Sequence, residues 1–196
     1  MIHLFRTASL LLLTLMGPAT MAQNTIPIDP GKSKITWHAS KVTGAHEGHV
    51  SVRSGSIVVK EGGLQGVDVV MDMGTITCTD ISSEASNARL VDHLKSEDFF
   101  AVEDHPTATF RSTSVEISDQ EGSVSYYITG DLTIKDITHP ITFNARQLAN
   151  EDRYLGTLTF DRTKYDIKYR SGAFFPEIGD RMIYDEVQLD LDIRTR

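Results

Sequence analysis

Apolar and polar residues alternate with a period of two along most of the chain. The pattern is clearest in residues 67–73, 128–134 and 187–194. In the first of these, Asp68 and Asp72 interrupt a series of valine and methionine residues. Because successive side chains of a strand point to opposite faces, each stretch predicts a strand with one solvated and one buried face, as in antiparallel sheets.

Short turns rich in Gly, Asp or Asn separate further segments of strand-like composition. These segments are residues 35–42, 49–53, 56–60, 108–117, 141–148 and 154–160. Residues 24–33, which hold two prolines, are interpreted as a lead-in, and no internal linker or repeat indicates a second domain. So many strands with so little helix predict an all-β fold, either a meander closed into a barrel or a sandwich.

The exception to the period of two is residues 82–96, which predict a helix. Ser82 or Ser83 is a candidate N-cap, and Phe99 and Phe100 continue the apolar face just beyond the end. The apolar residues recur at helical spacing, at Leu90, Val91 and Leu94. In a closed barrel such a helix would cover one rim.

The first 22 residues have the composition of a secretory signal peptide. Arg6 precedes an apolar run over residues 8–16, and small residues lead to Ala22, where we expect cleavage. Without residues 1–22 the count of 19 basic and 27 acidic side chains becomes 18 and 27, a net charge of −9, because only Arg6 is lost. We therefore expect residues 23–196 to form one exported domain, periplasmic or secreted, that binds no nucleic acid and has no integral membrane segment.

Large apolar residues at inward strand positions are candidates for a pore lining, together with the phenylalanine pair after the helix. A sandwich would use such residues only as core, whereas an eight-stranded barrel leaves room for one small ligand. At about 0.8 kcal/mol per buried CH₂, a ligand of roughly twenty carbons gains about 16 kcal/mol before the costs of ordering it. The candidates are Trp37, Val69, Met71, Met73, Phe99, Phe100, Phe110, Leu132, Ile134, Phe143, Phe160 and Leu189.

Reactive side chains are concentrated in residues 93–110, but their pattern fits no known catalytic set. The sequence has no GxSxG, HExxH or phosphate-binding glycine loop, and most acidic residues lie in turns or at outward strand positions. A zinc site is not indicated by the histidines. His46 and His49 are three residues apart on a predicted turn and strand, so their side chains point to opposite faces. His38 and His49 could meet across neighbouring strands, but no third ligand is evident. Cys78 is interpreted as a small buried strand residue. We expect no catalytic residues, no metal site and no cofactor.

Four motifs, in this order, resemble the hallmarks of the YceI-like family of exported proteins that bind polyisoprenoids. The resemblance extends from about residue 28 to residue 196, and no single motif would be specific by itself. The motifs are HLKSEDFFAVEDHPTATF (93–110), GDLTIKDITHPITF (130–143), LTFDRTKYDI (158–167) and IGDRMIYDEVQLDLDI (178–193).

The resemblance implies an eight-stranded antiparallel, lipocalin-like barrel with one short helix at its rim. An isoprenoid-type lipid, such as a polyprenyl chain or a quinone tail, would lie in an elongated apolar pore. The family is regarded as non-enzymatic, with roles in isoprenoid handling and stress responses. One departure is Asp136, which stands where the family commonly has a glycine, in a turn. Each His-Pro pair, at 105–106 and 139–140, is expected to start a strand.

The leading hypothesis is therefore a non-enzymatic carrier or store of an apolar lipid, with a homodimer possible. One alternative is a cell-envelope hydrolase at the barrel rim, which would require His93, His105 and Asp98 to converge in one polar pocket. Another is a ligand-free β-domain for protein contacts, which would require continuous side-chain packing along the barrel axis.

Overall fold

The computed structural model describes residues 23–60, 63–120, 123–148 and 152–196. The predicted signal peptide, residues 1–22, lies outside these residues and stays a prediction. The described residues form one α-helix, α1 (Glu84–Lys95), and nine strands. The strands are β1 (Asn24–Pro27), β2 (Lys34–Lys41), β3 (Gly44–Lys60), β4 (Gly63–Asp72), β5 (Thr107–Gln120), β6 (Ser123–Ile134), β7 (Ile137–Gln147), β8 (Arg153–Asp161) and β9 (Ile183–Arg194).

Strands β2 to β9 form a closed eight-stranded antiparallel barrel, which confirms the predicted fold class. Neighbours in sequence pair with one another from β2 to β9, and β2 then pairs with β9 to close the cylinder. The short β1, within the predicted lead-in, pairs with the end of β3. Inward residues of every barrel strand meet in one apolar core.

Strand β3 corrects the sequence prediction, which divided it into residues 49–53 and 56–60. It is one continuous strand that pairs with β2 in its first half and with β4 in its second half. Its pairing with β4 shifts register between Val52 and Ser54. Nearby Gly55 has no room for a side chain, since a Cβ there would lie 2.5 Å from the Asp68 carbonyl oxygen. The small residues that suggested a turn instead mark a bulge, which bends the strand without ending it.

The turn between β6 and β7 consists of Lys135 and Asp136, both at positive φ (51° and 59°). Two residues with positive φ are typical of a tight hairpin turn, and Asp is among the residues that tolerate this conformation. Of the two His-Pro pairs, Pro106 directly precedes β5 as expected, but Pro140 lies inside β7. It is accommodated because this part of β7 pairs only with β6.

Helix α1 occupies Glu84–Lys95, within the predicted range. Ser83 is at the N-cap position but makes no side-chain capping hydrogen bond. Leu94 is buried in the barrel core, and Leu90 and Val91 pack against it. None of the helices in the described ranges has the length and apolar character needed to cross a membrane.

Candidate functional site

Two apolar cavities lie in series inside the barrel. The first, here called the Tyr154 cavity, has a volume of about 60 Å³ and is bordered by Leu64, Tyr154 and Ile193. The second, here called the Phe99 cavity, has a volume of about 80 Å³ and lies under α1, bordered by Leu94 and Phe99. The surfaces of both cavities are apolar throughout. A cavity without polar partners for water favours apolar contents.

All twelve residues predicted as a pore lining border one or both cavities; their contact with a ligand stays a prediction. Those at the Tyr154 cavity are Val69, Phe110 and Phe143. Those at the Phe99 cavity are Trp37, Met73, Phe99, Phe100, Ile134 and Phe160. Met71, Leu132 and Leu189 border both cavities, and they are here called the waist.

The side chains of the waist lie between the two cavities. Leu132 is 1% exposed and Met71 is 5% exposed, so both side chains are packed in the core. Methionine is unbranched and has three rotatable bonds, so it can change conformation with little strain. A rearrangement of these three side chains would join the two cavities.

Aromatic side chains close the barrel under α1. The rings of His93, Phe99 and Tyr169 contact one another, with centroid distances of 4.7 to 5.4 Å. His93 Nε2 also lies 2.8 Å from Asp98 Oδ2. The Phe99 cavity is therefore separated from solvent by an aromatic cluster with a polar outer side.

The opposite end is closed by two tyrosines. Tyr126 is fully buried, and its hydroxyl accepts a hydrogen bond from the Leu64 amide and donates one to Gln147. Burial, together with the nearby Tyr126 and Asp152, raises the pKa of Tyr154 to about 12. The Tyr154 phenol is therefore neutral at physiological pH, in keeping with the apolar interior.

The barrel wall between β7 and β8 is incomplete as a backbone ladder, and we call this part of the wall the seam. The two strands pair only from Asn144–Thr157 to Gln147–Tyr154. Where the pairing has stopped, the side chain of Tyr165 lies between the two strands. The centroid of its ring lies 5.6 Å from that of the Phe160 ring on β8 and 5.3 Å from that of the His139 ring on β7. An outer groove at the seam shares several residues with the Tyr154 cavity on the inside; they are Phe143, Ala145, Leu155, Gly156, Leu158 and Leu191.

Arg162 is a buried residue that sequence reasoning did not single out. Its side chain is 3% exposed and borders the Phe99 cavity, yet none of its polar atoms faces that cavity. All five of its N–H donors are satisfied within the protein, so this guanidinium is structural and does not await a lipid head group. The acceptors are four backbone carbonyls and one carboxylate, those of Ile167, Tyr169, Ile183, Tyr184 and Asp185.

The residues named for a rim hydrolase do not meet in one pocket. His93 pairs with Asp98, whereas His105 Nδ1 lies 3.0 Å from a carboxylate oxygen of Asp136 on the β6–β7 turn. Each imidazole thus has its own acidic neighbour, and the convergence that the hydrolase hypothesis required is not seen.

His46, Cys78 and Asp80 form a polar cluster that the sequence analysis did not find. His46 Nδ1 lies 2.8 Å from Asp80 Oδ2, and the Cys78 thiol donates to Asp80 Oδ1 at 3.1 Å. Burial, followed by the contact with Asp80, raises the pKa of the Cys78 thiol, so it is a poor nucleophile in this state. Although burial alone would raise the pKa of Asp80, hydrogen bonds from His46, Glu47 and Cys78 lower it to about 2.

Comparison with known proteins assigns the chain to a family. A family model described as YceI-like domain matches residues 27–195. The chain belongs to the YceI-like family. The match covers nearly all of the described residues and includes all eight strands of the barrel, β2 to β9.

Curated relatives match in shorter segments. A UPF0312 protein of Photorhabdus laumondii (plu2095) is 31% identical over 107 residues, which is 54% of this chain and 54% of that protein. Protein YceI of Escherichia coli O157:H7 is 36% identical over 81 residues, 41% of this chain and 40% of that protein. The chain thus spans about half or less of the length of these YceI-like relatives.

Solved structures share the fold of this YceI-like chain. BcnA of Burkholderia cenocepacia superposes with a TM-score of 0.63 at 20% identity, over 85% of this chain and 98% of BcnA. A polyisoprenoid binding domain from Saccharophagus degradans, implicated in plant cell wall breakdown, gives a TM-score of 0.56 at 15% identity, over 90% of this chain and 98% of that domain. At these identities the likeness shows the architecture alone.

Proposed function

We propose that this YceI-like protein binds one apolar, isoprenoid-type lipid inside its barrel and stores or carries it without catalysis. The observation that carries the proposal is the pair of wholly apolar cavities arranged in series along the barrel and separated only by the waist. A polyprenyl chain or quinone tail is long, thin and apolar, so its chemistry matches the lining. It needs more room than the two cavities of about 60 and 80 Å³ provide, and that room must come from displaced core side chains, beginning with those of the waist. Family membership and the polyisoprenoid-binding fold neighbour support the same ligand class.

The energetics are consistent with this ligand class. Each CH₂ moved from water into an apolar interior contributes about 0.8 kcal/mol, so even a partly buried isoprenoid gains several times the thermal energy. Ordering the chain and displacing the waist offset part of that gain. Water cannot compete, because the cavity surfaces offer it no hydrogen-bond partners. We therefore expect tight binding with little dependence on the head group.

We place this role outside the cytoplasm, in the periplasm or the secreted fraction, on the basis of the predicted signal peptide at residues 1–22. Two observations favour a binding protein over an enzyme. The interior of the barrel is lined by apolar side chains, and the two rim histidines, His93 and His105, contact different carboxylates. A homodimer is compatible with the proposal but is not required by it.

The first test is extraction of the protein purified from its native host with organic solvent, followed by mass spectrometry. We expect one isoprenoid-type lipid per chain. A lipid-free extract, together with no uptake of a polyprenyl alcohol or a quinone by the purified protein, would contradict the proposal.

Substitutions then test whether the cavities hold the ligand. Met71→Asp and Phe143→Asp should abolish loading, because a carboxylate in the pore cannot be solvated. Tyr127→Asp is the matched control, since Tyr127 is 48% exposed and alternates along β6 with the buried Tyr126 and Ile128. If the pore variants fail to fold, Met71→Phe narrows the waist without adding charge and should still reduce loading. Unchanged loading in a folded Met71→Phe variant would place the lipid elsewhere.

A further inference from the structure

The cluster of His46, Cys78 and Asp80 lies where a loop takes the place of a strand. Strand β4 ends beside Ser51, and residues 76–80 continue along the remaining part of β3. Thr77 and Thr79 donate backbone hydrogen bonds to the carbonyls of His49 and Glu47, each at 2.9 Å. This extended pairing brings residues 78 and 80 beside His46, which is 32 positions away from Cys78 along the chain.

The backbone of this loop is fixed from several sides. The Trp37 indole donates to the Thr77 carbonyl at 2.9 Å, and the Asn87 side chain of α1 donates to the Cys78 carbonyl at 2.8 Å. The loop also crosses directly over Gly48, where a Cβ would lie 1.8 Å from the Thr77 carbonyl oxygen. Side chains on such a constrained backbone keep their relative positions, which is what a preformed ligand site requires.

The donor atoms of the cluster lie within 4.8 Å of one another. Donor atoms bound to one tetrahedral zinc ion lie roughly 3.3–3.7 Å apart, given bond lengths of about 2.0–2.3 Å. The present contacts to Asp80, 2.8 Å from His46 and 3.1 Å from Cys78, are those of hydrogen bonds and would lengthen by roughly 0.5 Å. We propose that His46, Cys78 and Asp80 bind a zinc-like divalent cation with one imidazole nitrogen, one thiolate and one carboxylate oxygen.

The binding step balances in charge and protons. The cation displaces the proton of the Cys78 thiol, which passes to solvent, and binds the resulting thiolate. The neutral His46 ring carries its proton on Nε2 in the bound form and offers the Nδ1 lone pair. The thiolate and the Asp80 carboxylate together neutralise the two positive charges, so the loaded site carries no net charge.

Exposure fits a site that exchanges its ion with solvent. The Cys78 side chain is buried, while the side chains of His46 and Asp80 are each 30% exposed to solvent. An ion can therefore arrive from the solvent side, and a water molecule can take the fourth position. Three protein ligands plus water is the arrangement of zinc sites that keep one position open. The site lies at the rim, outside both apolar cavities, and it does not depend on the proposed lipid.

The test uses cobalt(II) as a spectroscopic substitute for zinc on the chelator-treated full chain. Cys78 is the only cysteine in the sequence, so a sulfur-to-cobalt charge-transfer band can arise only from its thiolate. We expect that band at one cobalt per chain, competition by zinc, and slower reaction of the thiol with a thiol reagent when zinc is present. Absence of the band and of thiol protection would overturn the proposal.

Variants separate a three-residue site from binding by the thiol alone. His46→Ala and Asp80→Asn should each weaken cobalt binding tenfold or more. His93→Ala is the matched control, because it breaks another His–Asp pair of the same 2.8 Å length and should leave cobalt binding unchanged. Equal affinity in the wild type, His46→Ala and Asp80→Asn would contradict the site. Zinc protection of the wild-type thiol decides the question if the variants fail to fold.

Discussion

Two parts of the barrel wall are built in different ways. Strands β6 and β7 pair without interruption from the turn at Lys135 to Arg146, so backbone hydrogen bonds hold this wall over its full height. At the seam, the backbone ladder between β7 and β8 stops at Asn144, and side chains close the rest. A wall held by a few side chains opens at lower cost than one held by a continuous ladder. We therefore expect the strands of the barrel to separate first at the seam.

The largest predicted loss of stability comes from substituting Arg162. This residue begins the short helix at the seam (Arg162–Tyr165), and its side chain binds the Ile183 carbonyl at the start of β9. Arg162→Met should cost about 3–5 kcal/mol of unfolding free energy, because it leaves the Asp185 carboxylate and several carbonyls without their buried partner. Denaturant unfolding followed by circular dichroism measures it. The control is Arg111→Met on β5, away from the seam, which removes an exposed ion pair with Asp68 of β4 and should cost no more than about 1 kcal/mol. Equal losses would mean that the seam has no special dependence on Arg162.

The next effect concerns the side chain that fills the seam. Tyr165→Ala should cost about 3 kcal/mol, the lower end of the range for deleting a buried aromatic ring, because it removes the apolar contacts of a side chain that is only 2% exposed and leaves a cavity. The comparison is Tyr127→Ala on β6, whose side chain is 48% exposed and should change stability by less than about 0.5 kcal/mol. Hydrogen exchange of β7 and β8 amides should accelerate in Tyr165→Ala. Protection as strong as in the wild type would show that backbone pairing alone holds the seam.

A disulfide across the seam tests whether the lipid passes through it. In a Cys78→Ser background, Thr142→Cys with Thr159→Cys places a cysteine pair at the positions that would face each other if the β7–β8 register continued beyond Asn144–Thr157, and formation of the disulfide is checked first by mass spectrometry. We expect lipid uptake to slow about tenfold, equivalent to about 1.4 kcal/mol in the barrier, since the strands can no longer part. Thr129→Cys with Thr142→Cys is the control, because those threonines already face each other across the intact β6–β7 ladder. An unchanged uptake rate in the first variant would favour entry at the end covered by α1.

The smallest predicted effect concerns the other edge of β8, where it pairs with β9 along its whole length, in contrast to the seam with β7. Hydrogen bonds from Arg153 lower the pKa of Asp192 on the β8–β9 wall, against the opposing effect of burial. Because the folded pKa lies below the unfolded value, this contribution is present above about pH 4 and is lost as the pH falls through the folded pKa. Asp192→Asn should cost about 1 kcal/mol at pH 7, and the difference from wild type should vanish in acid. A difference that persists in acid would assign the loss to packing.

The sequence was informative wherever side-chain direction is a local property. Alternation assigned the inward faces of β4, β6 and β9, and Met71, Leu132 and Leu189 do point into the barrel, because the parity of a strand depends on its own residues. The fold class followed from the number of such strands, and the motifs identified the family. The strand residues among the candidate pore lining border the cavities for the same reason, and their contact with a ligand stays a prediction.

The remaining features depend on contacts between distant residues. Residues 54 and 55, between the two predicted segments, read as a break because small residues suit both turns and bulges, and only the pairing with β4 distinguishes the two. The environment of Arg162 comes from carbonyls up to 22 positions away. The contact of His46 with Asp80 follows from a loop that replaces a strand, which no periodicity reveals.

The pairing of β2 with β9 has a consequence for how the protein folds. Residues 34–41 must find residues 183–192, near the other end of the chain, before the cylinder can close. Such sequence-distant pairing is associated with slow folding, on the scale of milliseconds to seconds. A chain that lacks its last strand would leave unpaired edges on both β2 and β8, and unpaired edges recruit other strands. Truncation of β9 should therefore produce aggregates rather than a smaller barrel.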